Sequence, residues 1–227
     1  MTADDSSRRR LLDLFCGAGG AGVGYARCGF EVIGCDLLVS KNSPHPVIEA
    51  DALTLDPDWI AASFDAVHAS PPCQRHSRMT NATGTPNAHP DLIAPTRRLL
   101  DATGLPWVLE NVPGAPLRNP ATLCGSMFPP LRVRRHRRFE TNWLLMTPPC
   151  GVHQEVVHHM SRRNWERLKS GEADPWSVWL CVVGHTPFSS ASADAMGIDW
   201  MTSNELVQAV PPAYTEFVGT QLRLHIA

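Results

Sequence analysis

Lysine is almost missing from this chain. Of 20 basic residues only Lys41 and Lys169 are lysines, which leaves 18 arginines. The skew has two readings: the codon usage of a GC-rich genome, or recognition of phosphates and base edges by bidentate guanidinium groups. Long apolar runs are missing too, and the mean hydropathy is -0.15, so no segment is expected to span a bilayer. Met1 to Arg10 is polar and basic with no apolar stretch behind it, so no secretory leader is expected. The 7 cysteines are odd in number and scattered, which does not make a disulfide framework. A reducing compartment follows as the expectation, with a soluble, cytoplasmic protein in it. What is present is ordinary: 43% hydrophobic residues exclude wholesale disorder, and 227 residues suffice for one full core with a small appendage.

The first two-thirds alternates strand and helix signals. Leu11 to Phe15 is a short apolar run closed by glycines, Glu31 to Cys35 ends on Asp36, Phe64 to Ala69 runs into Pro71-Pro72, and Pro106 to Leu109 ends at Glu110-Asn111. Ala21 to Gly29 reads as a helix with Gly29 just past its end. Leu92, Thr96, Leu99 and Leu100 mark a second helical face, which Pro95 confines to a late start or a kinked first turn. This spacing predicts an α/β fold with a doubly wound, mostly parallel sheet. In such sheets ligands sit beyond the carboxyl ends of the strands, where Gly17, Gly19, Asp36, Cys73 and Glu110 all fall.

Taken alone, the loop Phe15-Cys16-Gly17-Ala18-Gly19-Gly20 says "nucleotide-like cofactor" and no more. Its amides suit the pyrophosphate of NAD or the carboxylate of S-adenosylmethionine, and Asp36 suits ribose hydroxyls in either case. Cys73 sits in Ser70-Pro71-Pro72-Cys73-Gln74, stiffened by two prolines, with Arg75 and Arg78 close by to favour a thiolate. A buried inert thiol is the plain alternative. With Glu110 on a neighbouring strand end, the pair suits addition of a thiolate to C6 of a pyrimidine, which makes C5 nucleophilic while the carboxyl group holds N3 and the exocyclic amine.

These residues resemble the DNA (cytosine-5) methyltransferase family. Leu12 to Gly20 is similar to its first motif, Asp36 to its acidic ribose ligand, and Asp51-Ala52 to the motif that contacts adenine. Pro71-Pro72-Cys73-Gln74 resembles the signature segment and Glu110-Asn111-Val112 the segment that grips cytosine. Arg135-His136-Arg137-Arg138-Phe139 resembles the arginine motif, and Val207 to Pro212 the last motif. The resemblance implies a Rossmann-like methyltransferase using S-adenosylmethionine. Cys73, Glu110, Arg135 and Arg137 would be catalytic, and Phe15, Gly17, Gly19, Gly20, Asp36, Asp51, Ala52, Pro72 and Gln208 would hold the cofactor. Gln74, Arg75, Arg132, Arg134 and Arg138 would contact nucleic acid. The sequence departs from the family at Arg75-His76-Ser77, where Phe-Ser is common, and at Val207-Gln208, where Gly-Asn is usual.

The organisation expected is a catalytic core at 1–141, a small target-recognition lobe at 142–203 and a returning segment at 204–227. The partner expected is DNA, through a flipped or single-stranded cytosine, with no membrane and a monomeric enzyme. Methylation of RNA and a non-catalytic binding module are the rivals. So short a lobe, with the arginine-rich composition, suits a small phage or prophage-like member with a short or relaxed target sequence, fewer base contacts or help from a partner. Most of Trp143, Trp165, Trp176, Trp179 and Trp200 are expected to form that lobe's own core. Cys150-x2-His153, His158-His159 and Cys181-x3-His185 invite zinc, but the family needs no metal and none is expected.

Overall fold

Successive residues of a strand point to opposite faces, so the complete burial of Leu11, Leu12 and Leu14 requires that both faces be covered. They lie in β1 (Arg10–Leu14), a central strand of the sheet. The computed structural model describes residues 8–76, 90–129, 131–151, 153, 156–157, 170, 172, 179–182 and 190–227. Beside β1 stand β2 (Glu31–Asp36), β3 (Val47–Glu49), β4 (Ala66–Ala69), β5 (Trp107–Asn111), β6 (Ala121–Leu123) and β7 (Arg137–Thr141). Their order is β3-β2-β1-β4-β5-β7-β6. The first five strands in that order run parallel, while β7 pairs antiparallel with both β5 and β6. The order reverses at β1 and β4, which opens a crevice at their carboxyl ends.

Both faces are covered, as expected for a doubly wound sheet. On one side Leu11 packs in a cluster with Tyr25 of α1 (Gly20–Arg27) and with Tyr214, Val218 and Leu222 of the C-terminal helix Pro212–His225. On the other, Leu12 and Leu14 meet Ile60 of α2 (Pro57–Ser63) and Ile93 and Leu100 of α3 (Ile93–Thr103). Two boundaries differ from the sequence reading. Pro95 lies within the first turn of α3, and the helix starts before it: an N–H there has no intrahelical acceptor, so its loss costs little. Phe64 and Asp65 do not join β4. Phe64 closes α2 through its N–H to Ile60 O, and the Asp65 carboxylate accepts from Arg9 and from the Arg10 amide.

The later part of the chain shares this core. Trp143, Leu180, Val182, Ile198 and Met201 join the cluster of Leu11 and Tyr25, next to α4 (Ser190–Met196) and α5 (Ser203–Leu206). The C-terminal helix is accordingly α6. A separate parallel pair joins β8 (Val156–Val157) to β9 (Trp179–Leu180). Arg78, His158, His159, Arg162, Arg163, Trp165, Trp176 and His185 lie outside the described residues. Among those described, no helix is long and apolar enough to cross a membrane.

One buried ion pair fixes β7 against the parallel sheet. Arg97 of α3 donates from Nε and Nη2 to the two Glu140 carboxylate oxygens at 2.6 Å each, and the Arg118 amide adds a third bond at 2.8 Å. Both side chains are almost fully buried. Arg97→Ala leaves a buried carboxylate without its cation, and urea denaturation should show a loss of about 3–5 kcal/mol. A loss below about 1 kcal/mol would mean that the pair does not hold β7.

Candidate active site

Chain direction reverses sharply where β1 ends. Phe15, Gly17 and Gly19 take φ of 60°, 52° and 79°, a region that glycine enters without strain and phenylalanine rarely does. The amide of Gly17 donates to Asp36 Oδ2 at 2.9 Å, so the acid at the end of β2 closes on the loop after β1. Nothing lies within 4 Å of a Cβ built at Gly17, and the loop is open there. At Gly20 a Cβ would stand 2.7 Å from Val210 O, so the returning C-terminal segment packs directly on the loop. Trp200 Nε1 donates to Ala18 O at 2.9 Å from the same side. Leu37, Leu38 and Val39, just past Asp36, are exposed apolar residues. Asp51 caps the short 3-10 turn Ala52–Thr54 by accepting from the Leu53 amide at 3.0 Å, and Ala52 is buried. Gln208 is exposed, with Nε2 on Asn204 O at 3.4 Å. Behind the loop, the Asp13 carboxyl is buried and its pKa is pushed up to about 8 by desolvation, so it carries its proton at neutral pH.

The segment after β4 is tied at both ends. The Ser70 amide donates to Leu14 O at 3.2 Å, Asn111 Nδ2 donates to Pro71 O at 2.8 Å, and the His76 amide returns to Cys73 O at 3.0 Å. Cys73 is half-buried at the head of the 3-10 turn Gln74–His76, which also holds Arg75. Two prolines and three backbone-directed bonds thus hold the thiol on a rigid mount.

On the neighbouring strand, Glu110 is buried, and burial raises its pKa above the ordinary carboxyl value against the opposing pull of Arg137, Ser70 and Arg135. Arg137 Nε lies 3.0 Å from Glu110 Oε1 as an ion pair. That contact is not aligned as a hydrogen bond, so Oε1 has no hydrogen-bond partner among the described residues. A polar line runs behind it: Tyr25 OH meets His68 Nδ1 and Ser70 Oγ meets His68 Nε2, both at 2.9 Å, and Ser70 reaches Glu110. Burial lowers the His68 pKa to about 3, so this imidazole is neutral and relays dipoles, not charge.

The arginine run divides by alternation. Val133 and Arg135 are buried, Arg134 is exposed, and Arg132, Arg137 and Arg138 are half-buried. The Arg135 guanidinium donates to Val182 O at 2.5 Å and to Val207 O at 2.8 Å, while Tyr214 OH donates to Arg135 O at 2.6 Å. Burial and the neighbouring Arg137 lower its pKa to about 9. Arg135 therefore joins three distant segments beneath the site, with Cys73 within electrostatic reach.

The sequence reading missed the parts that only folding assembles. Trp200 was grouped with a separate lobe, yet its indole closes the glycine loop. His68 and Ser70 passed as strand and turn residues. Cys150 and His153 do converge, but with Cys124 and His136 and not with Cys181.

A mostly parallel sheet wound on both faces, with the candidate residues at its carboxyl strand ends, has the Rossmann-like fold seen in solved methyltransferase structures. Residues 9–121 match the family model described as C-5 cytosine-specific DNA methylase. The type II methyltransferase M.AgeI of Thalassovita gelatinovora is 32% identical over 83 residues, a match covering 30% of this chain and 19% of that protein. The chain thus matches about a fifth of the length of that curated relative. Among solved structures, S. pombe Dnmt2 methyltransferase superposes with a TM-score of 0.63 at 14% identity, covering 97% of this chain and 99% of that one. Entamoeba histolytica methyltransferase EhMeth gives 0.56 at 12%, again covering 97% and 99%. At such identities the likeness is one of fold.

Proposed function

We propose that this chain transfers a methyl group from S-adenosylmethionine to C5 of cytosine in DNA through a covalent Cys73–C6 adduct. The observation that carries the reading is that a rigidly mounted thiol and the buried Glu110–Arg137 pair stand at the carboxyl ends of the paired strands β4 and β5, at the same sheet end as the glycine loop. The cradle suits the cofactor: a loop open at Gly17, an acid beneath it, and exposed Leu37 and Leu38 to face an adenine. Phe15, Gly17, Gly19, Gly20, Asp36, Asp51, Ala52 and Pro72 are assigned to hold it, with Gln208 at the rim. When bound, it supplies a methyl group made electrophilic by its sulfonium.

The chain's own residues do the rest. Addition to C6 and methylation at C5 approach the ring from above or below its plane, and in a stacked duplex neighbouring bases cover both faces, so the base must be extruded or single-stranded. Cys73 Sγ bonds to C6 as Glu110 supplies a proton at N3, which turns C5 into an enamine carbon. Arg137 braces the carboxyl and the O2 side of the base, and Arg135 positions this layer from below. After C5 takes the methyl group, solvent removes the C5 proton and the Sγ–C6 bond breaks, restoring thiolate and carboxyl. Gln74, Arg75, Arg132, Arg134 and Arg138 are assigned to the sugar-phosphate side, where contacts position and do not specify. The segment 142–203 is assigned to target recognition.

Incubation of purified protein with methyl-labelled S-adenosylmethionine and, separately, duplex DNA, single-stranded DNA and tRNA decides the substrate. Label in DNA, at cytosines sharing a context by bisulfite sequencing, is the expected outcome. Label confined to tRNA overturns the assignment to DNA while leaving the chemistry intact.

A further inference from the structure

We infer that Cys124, His136, Cys150 and His153 form a tetrahedral zinc site that pins the start of the 142–203 segment to the arginine motif. The four ligand atoms come from three separate stretches: Cys124 just after β6, His136 just before β7, and Cys150 and His153 beyond Trp143. All lie within 4.8 Å of one another. Cys150 Sγ is 3.2 Å from His153 Nε2 and 3.5 Å from His136 Nε2; the two imidazole nitrogens are 3.0 Å apart, and Cys124 Sγ is 3.9 Å from His153 Nε2. Zinc bonds of about 2.3 Å to sulfur and about 2.0–2.1 Å to nitrogen place tetrahedral ligands roughly 3.3–3.8 Å apart. The four separations just given, 3.0 to 3.9 Å, lie within a few tenths of an ångström of that range, so small side-chain shifts close the cluster on an ion. Cys124 is buried and the other three are half-buried. Two thiolates with two imidazoles and no carboxylate select zinc over harder cations. Ser126 Oγ lies 3.8 Å from Cys150 Sγ, in position to support the thiolate from outside the cluster.

The location gives the site its purpose. His136 stands between Arg135 and Arg137, and Arg137 holds Glu110. A bond from His136 to an ion shared with Cys150 and His153 fixes that strand entrance to the following segment. Half of the cluster is visible in the sequence as Cys150-x2-His153. The other half is Cys124 and His136, brought in by the antiparallel β6–β7 edge; Cys181 is not in the cluster, and His185 lies outside the described residues.

The test measures metal in the purified chain, with no chelator used, and reads the spectrum of protein loaded with cobalt in place of zinc. About one zinc per chain is expected after desalting. Cobalt should give thiolate-to-metal charge transfer and the intense visible bands of a tetrahedral ion. Cys150→Ser and His153→Ala should lower zinc content at least several-fold, while Cys28→Ser, outside the cluster, keeps it. Far less than one zinc per chain, a weak octahedral cobalt spectrum, or a Cys124–Cys150 disulfide by mass would each overturn the site. The cobalt spectrum is read on the unaltered chain, so the outcome stands even where a variant fails to fold. It is also independent of which nucleic acid is methylated.

Discussion

Cys73→Ser should lower methyl transfer by on the order of 10³–10⁵-fold while cofactor binding stays close to that of the parent protein. A serine hydroxyl is far less ionised than a thiol and attacks C6 poorly, and no second thiol stands among the described residues of this segment. The fold should be indifferent to the change, because the hydrogen bonds that shape this segment come from its backbone and from Asn111. DNA carrying 5-fluorocytosine separates the chemical role from a structural one. Fluorine at C5 cannot leave as a proton does, so the parent enzyme should become trapped in a denaturation-resistant adduct, and Cys73→Ser should give none. A serine variant that methylates at close to the parent rate would sink the covalent mechanism.

Glu110→Gln should cost about 10²–10⁴-fold in kcat, the usual range for a lost general acid. The pH dependence carries the more specific information. Burial raises the Glu110 pKa above the ordinary carboxyl value, so the protonated donor persists to higher pH than an exposed glutamate allows. The rate should therefore fall as pH rises through that raised value, and the glutamine variant should lose this alkaline limb. Retention of the limb in Glu110→Gln would assign the titration to another group. Arg137 lies against the same carboxyl and lowers its pKa, so an arginine-to-glutamine change there should move the limb to higher pH.

Much of the candidate site is legible in the sequence because its elements are local. The glycine loop, the diproline before Cys73 and the Glu110-Asn111 strand end each declare themselves within a few residues, and the rule for parallel sheets puts them at one end. Pro95 misled because a proline's effect on a helix depends on its depth: in the first turn no hydrogen bond is lost. The arginine run looked uniform in composition, yet strand-like alternation sends Arg135 into the interior and Arg134 outward.

Composition and periodicity by themselves determined the α/β class, the mostly parallel direction of the early strands and the residues at their carboxyl ends, since backbone pairing and burial act over short stretches. Only the tertiary structure decided which distant groups meet. Trp200 on Ala18, Arg135 on Val182 and Val207, and His136 beside Cys124, Cys150 and His153 are contacts across long separations in the chain. Such contacts depend on where β7 docks and how the chain returns, and a buried donor accepts whichever carbonyl or ligand the packing brings within reach. No local pattern encodes that choice.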